Sequence, residues 1–196
     1  MPALAPGAGA AAAMAKSACS AKFGGHAPAS ANHSKDTMLV DLPTFTLIHV
    51  VLSVLGIIAG LVVAGGLMAG ARMDGWTAFF LLTTIATSVT GFLFPFTAIL
   101  PSHITGAISL VVLAVCLAAR YGKQMEGGWR TVYALTAVTA LYFNVFVLIV
   151  QLFVKTPALA QLAPTQTESP FAATQALVLA LFVLVGWAAQ RGFRIR

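Results

Sequence analysis

Residues 44–70, TFTLIHVVLSVLGIIAGLVVAGGLMAG, decide the fold because this stretch contains no charged residue. An α-helix rises about 1.5 Å per residue, so roughly 20 apolar residues cross the hydrocarbon core of a bilayer. Apolar runs of this length are too long for the buried strands or helices of most soluble domains. We therefore predict that residues 44–70 form a transmembrane helix.

Four more apolar runs follow, each close to the length that a membrane-spanning helix needs. They cover residues 76–94, 103–120, 131–155 and 171–190. The sequence thus predicts an all-α, polytopic transmembrane bundle with five spans, within a domain of residues 43–196. The turn at 95–102 leaves one alternative open. If the second and third runs only dip into the membrane, the chain crosses it three times.

The composition of the 196-residue chain agrees with this prediction, with 59% hydrophobic and 8% charged residues and a mean hydropathy of +0.92. Soluble domains carry about 25% charged residues, so a soluble enzyme is excluded. The basic residues are scattered at the ends of the apolar runs and form no patch for nucleic acid. Cys19 and Cys116 make up no CxxC pair, which excludes a disulfide framework or a thiol redox motif.

Residues 1–42 differ from the rest of the chain, being rich in Ala, Gly, Pro and Ser without hydrophobic periodicity. This composition is typical of a flexible, low-complexity tail. Lys16 and Lys22 follow the alanine-rich run, whereas a signal peptide has its basic residues first. Met14 and Met38 are alternative translation starts, and a chain that began at either would lack part of the tail.

Positive charge is divided unevenly between the two sides that five crossings create. One side has seven basic residues close to the spans: Arg72, Arg120, Lys123, Arg130, Arg191, Arg194 and Arg196. The other side has four, of which only Lys35 and Lys155 are close to a span. The positive-inside rule therefore predicts an N-terminus outside and a C-terminus in the cytoplasm. We expect a multi-pass protein of the bacterial inner (plasma) membrane.

Small and polar residues recur along one face of the first span, at spacings of three or four. They are His49, Ser53, Gly56 and Gly60. Gly66 and Gly70 follow as a second pair four residues apart. The four glycines form two GxxxG pairs, which let neighbouring helices approach closely in a membrane. Because His49 shares its face with the first pair, we predict that its ring points into the bundle and away from lipid.

Asn144 and Gln151 place amide groups along one seam of the fourth span. An amide in hydrocarbon is costly unless it is hydrogen-bonded, so we expect both to bond to other helices. The threonines between residues 83 and 90 of the second span are the candidate partners. His103 begins the third span, so His49, His103 and Gln151 all lie toward the predicted outer face.

Two histidines on different helices at similar depth can ligate one b-type haem, and His49 with Gln151 can hold a quinone. This pattern leaves open, as an alternative, a redox protein with a cofactor site near the outer face, formed by His49, His103 and Gln151. No His, Cys, Asp or Glu spacing in the sequence indicates a separate metal site.

The acidic residues argue against a transporter, because all five Asp and Glu lie outside the apolar runs. No motif of a protease, lipase or ATPase occurs. We therefore predict a non-catalytic partner subunit or small membrane factor. Its expected partners are the lipid bilayer and another membrane protein or further copies of itself, and not nucleic acid. The redox protein and an oligomeric pore lined by the threonine-rich second span are the alternatives.

Overall fold

The computed structural model of the chain describes residues 42–93 and 101–194. At residues 42, 43, 101–103 and 194, only the helical backbone is described. The predicted tail therefore lies outside the described residues, apart from the backbone of Leu42. Most of the predicted turn at 95–102 lies outside them as well.

The described residues form helices and no strands. The helices are α1 (Leu42–Met68), α2 (Asp74–Phe92), α3 (Pro101–Leu117), α4 (Trp129–Lys155), α5 (Pro157–Leu162) and α6 (Ser169–Arg194). Except for the short α5, each is long and apolar enough to cross a membrane, α3 together with the helical turn that follows it, over Ile104–Gly122. This confirms the predicted all-α bundle with five spans and makes the chain a multi-pass membrane protein.

The helices differ from the predicted spans at their ends. Both α2 and α4 begin two residues earlier than expected, at Asp74 and Trp129, and α6 extends from Ser169 to Arg194. Beyond Leu117, α3 continues as a π-helical turn, Ala118–Gly122. Charged residues at these ends interrupt the apolar runs without interrupting the helices, because a helix continues into the polar layer of the membrane.

The end of α1 explains why the first span stops short of residue 70. The Gly70 N–H donates to the Leu67 carbonyl (3.1 Å), and the Ala71 N–H donates to the Gly66 carbonyl (2.8 Å). This is a Schellman motif, which needs a residue with positive φ after the helix. Gly70 supplies it with φ of +69°, so Gly70 ends α1 and lies outside its packing face.

Four of the long helices surround a common core, and the fifth lies beside them. Helices α1 and α3 each contact both α2 and α4, so they occupy opposite positions in the group. Helix α6 packs from outside against α4 and α1. In the most apolar stretch of each of the other four spans, 28–39% of the residues are buried inside the bundle. In that of α6, only 6% are buried. Helix α6 is therefore the peripheral helix of the bundle.

A dry apolar layer fills the centre of the bundle, where α2 and α4 close on α1 at Gly60. Phe80 and Leu141 are 0% and 1% exposed. A Cβ atom on Gly60 would lie 2.5 Å from Leu141 Cδ1 and 2.8 Å from Phe80 Cε2. Glycine is thus the residue that fits this crossing.

The connector between the fourth and fifth spans is more ordered than the sequence indicated. It contains α5, which begins at Pro157, and proline is favoured at the first position of a helix. After α5, Ala163 packs with Ile149 and Phe153 in a small second apolar cluster. The rings of Phe153 and Phe171 meet edge to face at 5.3 Å, so the connector is held against the end of α4.

Candidate functional site between the helices

Polar side chains inside the bundle lie at two levels, one on each side of the apolar layer. The level toward the start of α1, which we call the histidine end, contains His49, Thr84, Thr87, Thr90 and Asn144. The level toward the start of α2, which we call the arginine end, contains Asp74, Thr77, Arg120 and Tyr133. At each level, hydrogen bonds connect α2 to other helices.

At the histidine end, His49 of α1 contacts Thr90 of α2. The distance from His49 Nδ1 to Thr90 Oγ1 is 2.8 Å. The α2 backbone approaches the ring closely, since a Cβ atom on Gly91 would lie 3.6 Å from His49 Cε1. The ring is half-buried and turned toward α2.

The contacts of Thr90 determine which atom donates in this bond. Thr90 Oγ1 lies 2.7 Å from the Ala86 carbonyl oxygen and 3.1 Å from that of Thr87. Two oxygens this close need a proton between them, and a threonine hydroxyl has only one to donate. His49 Nδ1 is therefore the donor to Thr90 Oγ1.

Deeper in the bundle, six residues earlier along α2, Asn144 of α4 bonds to Thr84. Its Nδ2 donates to Thr84 Oγ1 at 3.1 Å, and the two residues are 6% and 0% exposed. Gly56 of α1 lies against this pair. A Cβ atom there would come within 3.4 Å of Thr84 Oγ1 and 3.6 Å of Asn144 Nδ2. The predicted bond between the Asn144 amide and the threonine-rich span is present, and Gly56 leaves room for it.

Thr87 lies between these two contacts along α2, and its hydroxyl is buried without a hydrogen-bond partner. Thr83, one turn earlier, instead donates back to the carbonyl of Phe79 at 2.8 Å. The antiparallel register pairs Gly56 with Thr83 and Thr84, and His49 with Gly91. By the same register, Ser53 lies opposite Thr87. The histidine end therefore contains a continuous polar seam between α1 and α2.

At the arginine end, Arg120 joins three helices. Its Nη1 donates to the Tyr133 hydroxyl on α4 at 2.9 Å, and its Nη2 forms an ion pair with Asp74 on α2. Tyr133 Oη also lies 3.2 Å from Thr77 Oγ1. The Arg120 side chain is 5% exposed, whereas that of Asp74 is 70% exposed. The buried charge is thus neutralised by a carboxylate at the water-facing surface.

Arg120 Nε is buried and has no hydrogen-bond partner. The space between Arg120, Leu67, Met73 and Phe193 is too narrow to admit a water molecule. The planar guanidinium also lies 5.2 Å from the centre of the Tyr133 ring, so the aromatic face supplies part of its stabilisation. Arg120 therefore connects α2 and α4 to the helical turn after α3.

The predicted cofactor residues have different surroundings. His49 is turned into the bundle and bonded to Thr90, whereas Gln151 is exposed on α4. His103 lies in the first turn of α3, and its side chain is outside the described residues. In the part of the chain that the structure describes, no three His, Cys, Asp or Glu side chains come together as metal ligands do.

The predicted packing glycines also have different surroundings. Gly56 and Gly60 face α2 and α4, so this GxxxG pair lies at a helix crossing. In the second pair, Gly66 faces the side chain of Met73, which belongs to the turn after α1, and Gly70 forms that turn. The second pair therefore shapes the connection between α1 and α2.

Two structural features were not identified from the sequence. One is the Arg120–Asp74 pair; Asp74 is the single acidic residue between the first two spans. The other is Gly192 in the last turn of α6, where a Cβ atom would collide with the Met68 carbonyl oxygen and lie 2.9 Å from that of Leu67. Gly192 lets α6 cross the end of α1.

Comparisons of this chain with protein-family models, with curated proteins and with solved structures find no match.

Proposed function

We propose that the chain is a non-catalytic subunit or small factor of a bacterial inner membrane, and that it assembles through α6 with another transmembrane helix. Its bundle serves as a rigid scaffold, and α6 provides the contact surface. The excess of basic residues at the arginine end supports an orientation with that end in the cytoplasm and the N-terminus outside.

The observation that carries this proposal is that polar side chains within the bundle bond from one helix to another. These bonds are His49–Thr90, Asn144–Thr84, Thr77–Tyr133, Arg120–Tyr133, Arg120–Asp74 and Gln175–Phe146. Such bonds specify which helix faces pair. The groups most suited to chemistry thus have structural partners, which supports a scaffold.

The exposed face of α6 supports its role as the contact surface. Ala172, Ala176 and Ala180 recur every four residues on the face that points away from the bundle. Small residues at this spacing let two membrane helices approach closely, whereas bulky side chains suffice against lipid. Most oligomers consist of identical chains related by two-fold symmetry. We therefore propose α6 of a second copy as the first occupant of this face.

Disulfide crosslinking in native membranes tests this assembly. In a chain whose two natural cysteines are replaced, Ala176→Cys should give an oxidant-dependent product of twice the monomer mass. Ala114→Cys is the matched control, because this alanine is exposed on α3, away from α6. A product of equal yield from both variants, or from neither, together with a strictly monomeric purified protein, would contradict self-assembly.

A redox protein that binds haem b or a quinone is the second candidate, and the hydrogen bond between His49 and Thr90 favours it. Histidines that ligate metals usually donate one ring N–H to a protein acceptor and coordinate through the other nitrogen. His49 donates through Nδ1 to Thr90, as such a histidine does. His103 and Gln151 would complete such a site.

An absorption spectrum of the purified protein separates the two candidates. The redox candidate predicts a Soret band that is lost in His49→Ala, or a quinone that co-purifies with the wild-type chain and not with that variant. Thr90→Val, which removes only the acceptor, should shift the band without abolishing it. A colourless wild-type protein free of quinone would eliminate this candidate.

A further inference from the structure

The arginine end carries more positive charge than the bundle itself neutralises. Among the described residues, this end has six basic residues against two acidic ones, Asp74 and Glu126. Asp74 is paired with Arg120, the one ion pair that the described residues contain. At the histidine end, the described basic and acidic residues are one each, Lys155 and Glu168. The excess charge is therefore confined to one face of the bundle.

Besides Arg120, three of these cations lie over aromatic rings. Arg191 lies 3.8 Å from the centre of the Trp187 ring, one helical turn earlier on α6. Lys123 lies 5.8 Å from the ring of Trp129, and Arg130 lies 5.5 Å from that of Phe193. Each ring attracts the cation that lies over it. The positive groups are therefore positioned around the bundle end and are not spread at random through water.

The same rings mark the level at which a membrane surface would meet the protein. All three tryptophans of the chain, Trp76, Trp129 and Trp187, lie at the arginine end and are 38–53% exposed. Tryptophan prefers the headgroup layer of a bilayer, where its ring is apolar and its N–H reaches water. Cations stacked on such rings lie at the depth of lipid phosphates.

We propose that Lys123, Arg130 and Arg191, held over Trp129, Phe193 and Trp187, form a binding collar for the headgroups of anionic phospholipids. The collar supplies positive charge with no acidic partner among the described residues. The phosphate and the net negative charge of a lipid such as phosphatidylglycerol complement it. This proposal depends on the charge and geometry of the arginine end and not on the assembly of α6.

Lipid-dependent thermal stability of the purified full-length chain tests the collar. The wild type should unfold at a higher temperature with added phosphatidylglycerol than with the same amount of phosphatidylcholine. The triple variant Lys123→Gln/Arg130→Gln/Arg191→Gln should lose this difference. It should also retain at least about fivefold less phosphatidylglycerol through purification, since each basic residue near the surface contributes to the attraction. Lys155→Gln, which removes the basic residue near the opposite end, should behave as the wild type.

A second variant tests the role of the rings. Trp187→Leu keeps the charge of Arg191 and removes the aromatic ring over which it lies. We expect a loss of phosphatidylglycerol binding that is smaller than in the triple variant. Helicity measured by circular dichroism identifies variants that fail to fold, and for these the single variant Arg191→Gln replaces the triple one. Equal lipid retention by wild type and triple variant would overturn the proposal. So would an equal stabilisation by phosphatidylcholine or by inorganic phosphate alone, because the collar requires an anionic lipid.

Discussion

Asn144 donates a hydrogen bond to Thr84 across the interface between α4 and α2, directly against Gly56 of α1. Three helices therefore meet at one buried polar contact. The bond satisfies an amide that has no water to bond to, and the missing side chain at Gly56 gives it space. The bond joins two helices through residues that are 60 positions apart in the chain.

The Asn144–Thr84 bond should contribute measurably to stability. Thr84→Val and Asn144→Ala, alone and combined, form a double-mutant cycle in SDS unfolding of the detergent-solubilised protein. We expect a coupling energy of about 0.6 kcal/mol, the average for hydrogen bonds between membrane helices, and no more than about 1.7 kcal/mol. Thr139→Val is the control, because Thr139 bonds only to the Leu135 carbonyl of its own helix. A coupling near zero would show that the bond does not hold α2 to α4.

Three glycines should differ sharply in their response to alanine. Gly60→Ala and Gly192→Ala should each lower the free energy of unfolding by about 1–3 kcal/mol, because the added methyl group has no room. Gly192→Ala should be the more harmful, since it meets backbone atoms of α1 whereas Gly60→Ala meets side chains that can shift. Gly65→Ala, with no atom within 4 Å, is the control. Equal effects at all three positions in SDS unfolding would contradict the described crossings.

Substitutions of Asp74 and of Arg120 should lower the free energy of unfolding by unequal amounts. Asp74→Asn removes the charge that neutralises a buried guanidinium, and it should cost about 1–3 kcal/mol although Asp74 is exposed. Arg120→Met removes the buried charge and leaves the carboxylate in water, so its cost should be smaller. Glu126→Gln, at the same end without an ion pair in the described structure, is the control. The reverse order of the two variants in the same unfolding assay would refute this account of Arg120.

Glu168, in the connector before α6, should titrate below the usual range. Desolvation alone would raise the pKa of Glu168, but bonds from the Thr165 hydroxyl (2.8 Å) and from the backbone N–H groups of Thr165 and Thr167 (3.1 Å each) together lower it. The ionised carboxylate should therefore hold the connector in this turn at any pH above the ordinary glutamate pKa. This stabilisation should be lost as the pH falls through the lowered value.

Carboxyl chemical shifts of the protein in nanodiscs measure this titration directly. Thr165→Ala removes one donor and should raise the pKa of Glu168 toward its ordinary value, because the hydroxyl no longer stabilises the charged form. Thr174→Ala is the control, since this hydroxyl bonds only to the Pro170 carbonyl. Identical titration of Glu168 in the wild type and in Thr165→Ala would contradict the described turn.

The sequence predicted those features that depend on local pattern. The five spans follow from run length, the place of Gly56 and Gly60 at a helix crossing from their spacing, and the bond of Asn144 from the cost of an unpaired amide. The second span was the obvious source of a partner, since its hydroxyls lie within a charge-free run.

Features that depend on the order of helices in space could not be predicted in this way. Arg120 and Asp74 are 46 positions apart, and nothing local indicates that α2 and α3 bring them together. Gly192 is an isolated glycine beside arginines, without a GxxxG partner to indicate packing. Gly70 matches a GxxxG spacing, yet the turn that follows requires its positive φ. Spacing alone does not distinguish these two uses of glycine.

The most direct test of the five-span bundle is the accessibility of single cysteines in intact cells, in a chain whose two natural cysteines are replaced. The account predicts that Ser102→Cys and Thr165→Cys react with a membrane-impermeant maleimide from outside. It predicts that Ala71→Cys and Glu126→Cys react only after the membrane is opened. Reaction of Ala71→Cys and Ser102→Cys from the same side would contradict five crossings, because α2 would then not span the membrane.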